Sequence, residues 1–115
     1  MRQLTSEEVM VLERSGCTAQ DWGQVRVADV GFDASRVRNV AFYDHIELGA
    51  TAGSMAVADG FDKGCGIYNA TLRNVVVGDH CLIENVRGYI NNYRIGNNCL
   101  ISNVHSIETT ADAAF

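Results

Sequence analysis

Between Val77 and Asp112 the chain reads in sixes: Val77-Gly-Asp-His-Cys-Leu, Ile83-Glu-Asn-Val-Arg-Gly, Tyr89-Ile-Asn-Asn-Tyr-Arg, Ile95-Gly-Asn-Asn-Cys-Leu, Ile101-Ser-Asn-Val-His-Ser and Ile107-Glu-Thr-Thr-Ala-Asp. Each hexad opens on an apolar or aromatic residue. The second block of eighteen echoes the first: Gly78 with Gly96, Cys81 with Cys99, Leu82 with Leu100, Ile83 with Ile101, Asn85 with Asn103 and Val86 with Val104. A period of six grouped into eighteen is the mark of a solenoid, in which each coil buries its apolar face against the next. It constrains the fold far more than the activity.

At 115 residues the chain is long enough for one small domain. Nine basic against fourteen acidic residues leave a net charge of −5, with no Lys/Arg cluster, so no nucleic-acid partner is expected. No apolar run approaches membrane-spanning length, and Met1-Arg-Gln-Leu-Thr-Ser-Glu-Glu8 has no apolar signal core. These features point to the cytoplasm, without a membrane partner. Cys17, Cys65, Cys81 and Cys99 form no CxxC pair, so a zinc ribbon is excluded and no metal is expected. Cys81 and Cys99, one coil apart, are expected to stack as small buried thiols.

Taken in order, the chain opens with a helix signal over about residues 6–15: Thr5 and Glu8 form a capping box, Val9, Val11 and Leu12 an apolar stripe, and Gly16 a stop. A helix this short is stable only when docked, and its expected place is over the open end of the solenoid, with Trp22 beside it. Apolar-x-apolar triplets follow at Val25-Arg-Val27, Val40-Ala-Phe42 and Ile46-Glu-Leu48, each with the two-residue period of a strand. Val30, Phe42 and Leu48 fall on a six-residue grid. Gly31, Gly49, Gly78 and Gly96 follow grid residues, where a turn is expected. Leu48 and Val77 are 29 residues apart, one short of five hexads, so the register must slip between them. An irregular loop near 50–66, rich in Gly, Ala and Asp, absorbs the slip and marks one face as a binding face. A second motif recurs as Val37-Arg-Asn-Val40, Leu72-Arg-Asn-Val75, Ile83-Glu-Asn-Val86 and Ile101-Ser-Asn-Val104. Its asparagines suit left-handed corners, and Asn85 above Asn103 predicts an amide ladder between coils.

The hexads resemble those of the hexapeptide-repeat superfamily, loosely over residues 25–115 and closely over 75–112. The resemblance implies an all-β fold, a left-handed parallel β-helix with about eighteen residues per coil. Here it would have four to five coils, a helical cap over residues 1–24 and a β-helix domain over 25–115. Three stretches, Leu4-Thr-Ser-Glu-Glu through Gly16-Cys-Thr-Ala-Gln-Asp-Trp22, Gly66-Ile-Tyr-Asn-Ala70 and Tyr89-Ile-Asn-Asn-Tyr-Arg-Ile-Gly96, also resemble the N-terminal part of a longer bacterial family of unknown function. That resemblance implies a β-helix cut short at its C-terminal end. Superfamily relatives include CoA-dependent acyltransferases and the helical domains of sugar-nucleotide pyrophosphorylases. Most are trimers. A homo-oligomer, a trimer in particular, is therefore expected, with acetyl-CoA or a sugar nucleotide as candidate co-substrate.

Two functions follow from this. The first is a transferase-like domain, acyl or nucleotide-sugar, working in a groove beside the 50–66 loop. By resemblance, His80 would be its general base, with His105 as a second candidate. The other is a non-catalytic scaffold or oligomerisation domain, held together through apolar outward positions such as Leu82 and Leu100. A gamma-class carbonic anhydrase site fails, because His45, His80 and His105 lie 35 and 25 residues apart with no close pair. Asn69, Arg87 and His105 stand eighteen apart and are expected to share one column. By the hexad rule that column points inward. If Val86 and Val104 fill the core instead, it turns outward, or it lines a polar groove in which Arg87 holds a phosphate or carboxylate. Asn92 joins these as a candidate polar contact for a small-molecule ligand. Tyr68, Tyr89 and Tyr93 could stack on a sugar or base, although Tyr89 and Tyr93 occupy inward positions where core packing is expected.

Overall fold

The computed structural model describes residues 1–52, 54–58 and 61–108, of which 54–58, 61–63 and 107–108 are described by backbone alone. Its elements are β1 (Arg2–Gln3), α1 (Ser6–Arg14), β2 (Thr18–Ala19), β3 (Val25–Val27), β4 (Val37–Leu48), β5 (Ser54–Ala58), β6 (Phe61–Gly64), β7 (Gly66–Val77), β8 (Leu82–Glu84), β9 (Ile90–Ile95), β10 (Leu100–Ser102) and β11 (Ile107–Glu108). The fold is therefore rich in β-sheet, with one short α-helix. β1 pairs antiparallel with β3; every other pairing in the large sheet is parallel.

The long strands β4 and β7 are each bent twice. In β4 the bends fall at Asn39 (φ 54°) and Asp44 (φ 57°), and in β7 at Asn69 (φ 58°) and Asn74 (φ 52°). Left-handed backbone is costly for most L-residues, but Asn and Asp enter it readily because their short polar chains bond locally. Each bend divides a strand into segments of two to four residues that alternate buried and outward positions: Val40, Phe42, Ile46 and Leu48 are buried while Tyr43 and Asp44 are exposed. Val27, Leu48, Val77 and Ile95 lie side by side across four strands and are all at most 3 % exposed, forming one column of the core.

The predicted Asn85–Asn103 ladder is present and twice as long as expected. Asn39 Nδ2 donates to Asn69 Oδ1 (3.1 Å), Asn69 to Asn85 (3.0 Å) and Asn85 to Asn103 (3.2 Å). A second ladder runs from Asn74 to Asn92 (2.9 Å). The recurrent Asn motif thus marks two different corners. Val37-Arg-Asn-Val40 pairs with the segment at Ile67, whereas Leu72-Arg-Asn-Val75 pairs with Phe42-Tyr-Asp. An outward residue followed by a left-handed one makes a bend at either corner, so the local sequence is the same.

Spacing between paired strands is 18 for Leu82 with Leu100 and for Val75 with Tyr93, 16 for Gly66 with Leu82, and 29 for Leu48 with Val77. The 16-residue step breaks the expected Asn69–Arg87–His105 column. Asn69 aligns with Asn85, and only Arg87 and His105 remain neighbours, both exposed, through Gly88 N donating to His105 O. Val86 is buried and Val104 packs against the core, which turns Arg87 and His105 outward. The expected irregular loop near 50–66 contains an antiparallel hairpin, Ser54 opposite Gly64 and Met55 opposite Lys63. The side chains of residues 53–63, the middle of the 50–66 loop expected to mark a binding face, lie outside the described residues. Two grid expectations also fail. Val30 is 85 % exposed, since its segment leaves the sheet before Gly31, and Leu82 is 1 % exposed although it lies outside the central cluster. Leu100, beside Leu82, is 48 % exposed as expected.

The helix packs on this core through Leu12. Thr5 accepts from Glu8 N and Glu8 reaches back to Thr5 N, the predicted capping box. At the other end Gly16 (φ 85°) receives the turn, with Cys17 N bonding Leu12 O at 2.9 Å and Gly16 N bonding Glu13 O at 3.1 Å. Leu12 is fully buried in the core cluster, and Trp22 meets Phe42 edge-on at 6.0 Å. Among the described residues no helix is long and apolar enough to cross a membrane.

Candidate functional site

β2, β4, β7 and β9 lie side by side with Phe42, Leu72 and Ile90 in one inward row. The pleat turns their neighbours outward. Ala41 and Thr71 pair directly, and Tyr43, Arg73 and Asn91 pair in one row across three strands. Together with Gln20, Asp44 and Tyr89 these outward residues form a groove of about 550 Å³ lined by Gln20, Tyr43, Asp44, Thr71, Arg73, Tyr89 and Asn91. Its size is that of an ordinary small-molecule site.

Two tyrosines, Tyr43 at 43 % exposure and Tyr89 at 41 %, present ring surface to this groove. Between them Arg73 Nε donates to Asp44 Oδ2 at 2.9 Å. Both side chains are more than half or half exposed, so the pair contributes little to stability, but it neutralises the groove and holds the guanidinium in place. Asp44 can grip Arg73 because its left-handed backbone bends the chain at the second corner. The Asn91 Oδ1 atom is buried without a hydrogen-bond partner. An acceptor withheld from water in this way costs about 1–3 kcal/mol. Among the described residues, the lining holds hydrogen-bond donors, acceptors and aromatic faces, and no histidine or cysteine that could act as a general base near neutral pH. Among the described residues no three His, Cys, Asp or Glu side chains gather to hold a metal ion.

The candidate residues drawn from the sequence are not brought together here. His80 is exposed at a left-handed corner (φ 56°), its Nδ1 3.3 Å from Ala52 O. His105 is exposed beside Ser106, ring nitrogen to hydroxyl 3.2 Å. Arg87 is exposed one residue after the buried Val86. Asn69 and Asn92 are ladder residues, and Tyr68 is half-buried with its hydroxyl donating to Cys65 O at 3.4 Å. Tyr93 packs against the core, as its inward position predicts, whereas Tyr89 reaches the groove because the corner before it carries two more residues than the corresponding corner of β7. Burial pushes the Cys81 thiol up, and all four cysteines are free.

Arg73 lies in the recurring Leu72-Arg-Asn-Val75 motif and Asn91 in a hexad, but neither pattern singles them out as site residues, and Gln20, Tyr43, Asp44 and Thr71 carry no motif. One signal was available: setting Phe42-Tyr-Asp44 beside Leu72-Arg-Asn74, rather than matching Arg-Asn with Arg-Asn, places Tyr43 next to Arg73.

Over its whole length, residues 1–115, the chain matches the family described as a domain of unknown function, DUF4954, and it belongs to that family. No curated protein and no solved structure matches it.

Proposed function

We propose that this chain is a left-handed parallel β-helix of the hexapeptide-repeat kind, acting as a non-catalytic platform that binds a small molecule on one flat face. The observation that carries it is the groove across β2, β4, β7 and β9, whose two exposed tyrosines flank a neutral Arg73–Asp44 pair. The eighteen-residue spacings and the repeated left-handed corners support the helical part, since they are what three-sided coils of this length require. A transferase using His80 or His105 has less support, because neither ring lines the groove; the hydrogen-bond neighbours among the described residues are a carbonyl and a hydroxyl. Trimer formation belongs to the same proposal and is tested by the mass in solution at micromolar concentration.

The test of binding is a thermal-shift screen with acetyl-CoA, sugar nucleotides and neutral oligosaccharides, on the chain and on two variants. A ligand at a hundred times its dissociation constant stabilises by about 2.7 kcal/mol, several degrees for a domain of this size. Loss of the shift in Tyr89→Ala and its retention in His80→Ala is the expected result. The opposite pattern would return His80 to the site and favour the transferase.

A further inference from the structure

We propose that the groove is a carbohydrate site that takes a neutral oligosaccharide, with sugar ring faces resting on Tyr43 and Tyr89. This rests on the reading that the groove binds a small molecule, and adds the class of ligand.

Four observations lead to it. First, among the described residues the groove's only large apolar surfaces are two tyrosine rings, and no aliphatic side chain lines it. An apolar peptide or acyl chain would find nothing to bury against. A pyranose offers a C–H face to a ring and hydroxyls to everything beside it. Second, the charges of the described lining residues cancel. Arg73 is already bonded to Asp44, so a diphosphate would meet no uncompensated cation and would face a carboxylate at close range. The chain's net charge of −5 adds to that repulsion. Sugar nucleotides and CoA are disfavoured on both counts; an uncharged sugar is not.

Third, the polar lining mixes amides, a hydroxyl and a charged pair: Gln20, Asn91, Thr71, Arg73 and Asp44. Each can donate, accept or do both, which matches a ligand whose every hydroxyl does both. The unpartnered Asn91 Oδ1 gives this lining an acceptor that a small rotation of the amide would offer to a ligand hydroxyl. Fourth, the rings are set apart. Tyr43 shares a row with Arg73 and Asn91, whereas Tyr89 stands two residues before Asn91, just ahead of β9. Two strand spacings, about 10 Å, separate β4 from β9 at this row, which leaves room for more than one sugar unit along the groove.

The test is binding of the chain to a printed array of neutral glycans built on glucose, galactose, mannose, xylose and N-acetylhexosamine, followed by calorimetry with the strongest. UDP-N-acetylglucosamine and acetyl-CoA are titrated alongside. One neutral glycan is expected to bind, with Tyr43→Ala and Tyr89→Ala each weakening it about tenfold, the worth of one lost aromatic face. Tyr89→Phe keeps the ring and should bind nearly as well. The glycan assignment is overturned if no neutral glycan binds, or if binding is indifferent to both alanine variants. Should a nucleotide or CoA ester bind instead, and lose affinity in Tyr89→Ala, the carbohydrate inference fails while the platform stands. If nothing responds to the groove variants, both fail. Unchanged melting of the two alanine variants separates lost binding from lost folding.

Discussion

A Cβ placed on Gly78 would stand 2.7 Å from the carbonyl carbon of Gly96, eighteen residues further along the chain. Gly78 keeps an ordinary negative φ, so the position needs glycine for space and not for a left-handed turn. Gly96 repeats the same sequence position, yet among the described residues a Cβ there would meet only Cys99 Sγ at 4.0 Å. Gly78→Ala is therefore expected to cost about 1–3 kcal/mol by forcing two neighbouring turns of backbone apart, and Gly96→Ala to stay within about 0.5 kcal/mol. Urea unfolding of the two variants checks the contrast; equal costs would remove the close-approach explanation.

The asparagine ladder makes a second prediction. Asn85 sits at φ 55° and bonds both Asn69 and Asn103. Asn85→Ala should lose about 1–2 kcal/mol, because alanine pays for the left-handed backbone as well as the amide bonds. Glycine removes the bonds but accepts the backbone, so Asn85→Gly should lose less. Thermal melts of the pair separate the two contributions.

Acid should weaken the helical cap. The Arg2 guanidinium, 2.7 Å away, holds the Glu8 carboxyl at about 2 against an ordinary 4.5. With the folded value below the unfolded one, the stabilisation is fully present above pH 4.5 and is lost as pH falls from there towards 2. The full shift corresponds to about 3 kcal/mol, which solvent screening reduces to about 1–2 kcal/mol. Glu8→Gln should lose that much at pH 7 and flatten the decline below pH 4.5, as read from unfolding free energies across the range.

Leu82 and Leu100 occupy equivalent positions but differ in exposure, at 1 % and 48 %. Leu82→Ala should cost about 2–4 kcal/mol. Leu100→Glu should leave the melting of an isolated chain within about 0.5 kcal/mol. If copies assemble through this position, the same change will lower the mass measured by light scattering.

The hexads by themselves determined a repeating sheet over residues 77–108, and the capping box determined a helix ending at Gly16. Both are local: a period of six sets which side chains face inward, and a cap needs partners three residues apart. The Asn85–Asn103 ladder was legible for the same reason, since one uninterrupted eighteen-residue repeat separates its members. Tertiary pairing alone decided the rest. Steps of 16 and 29 residues between paired strands arise from the lengths of corners and of the hairpin, which apolar periodicity does not encode. They moved Asn69 into the ladder, left Arg87 and His105 on the surface and carried Tyr89 out of the core. The groove is the clearest case. Tyr43, Arg73 and Asn91 are ordinary outward residues in three separate strands and Gln20 follows a fourth, and only the register that sets those strands side by side makes them one surface.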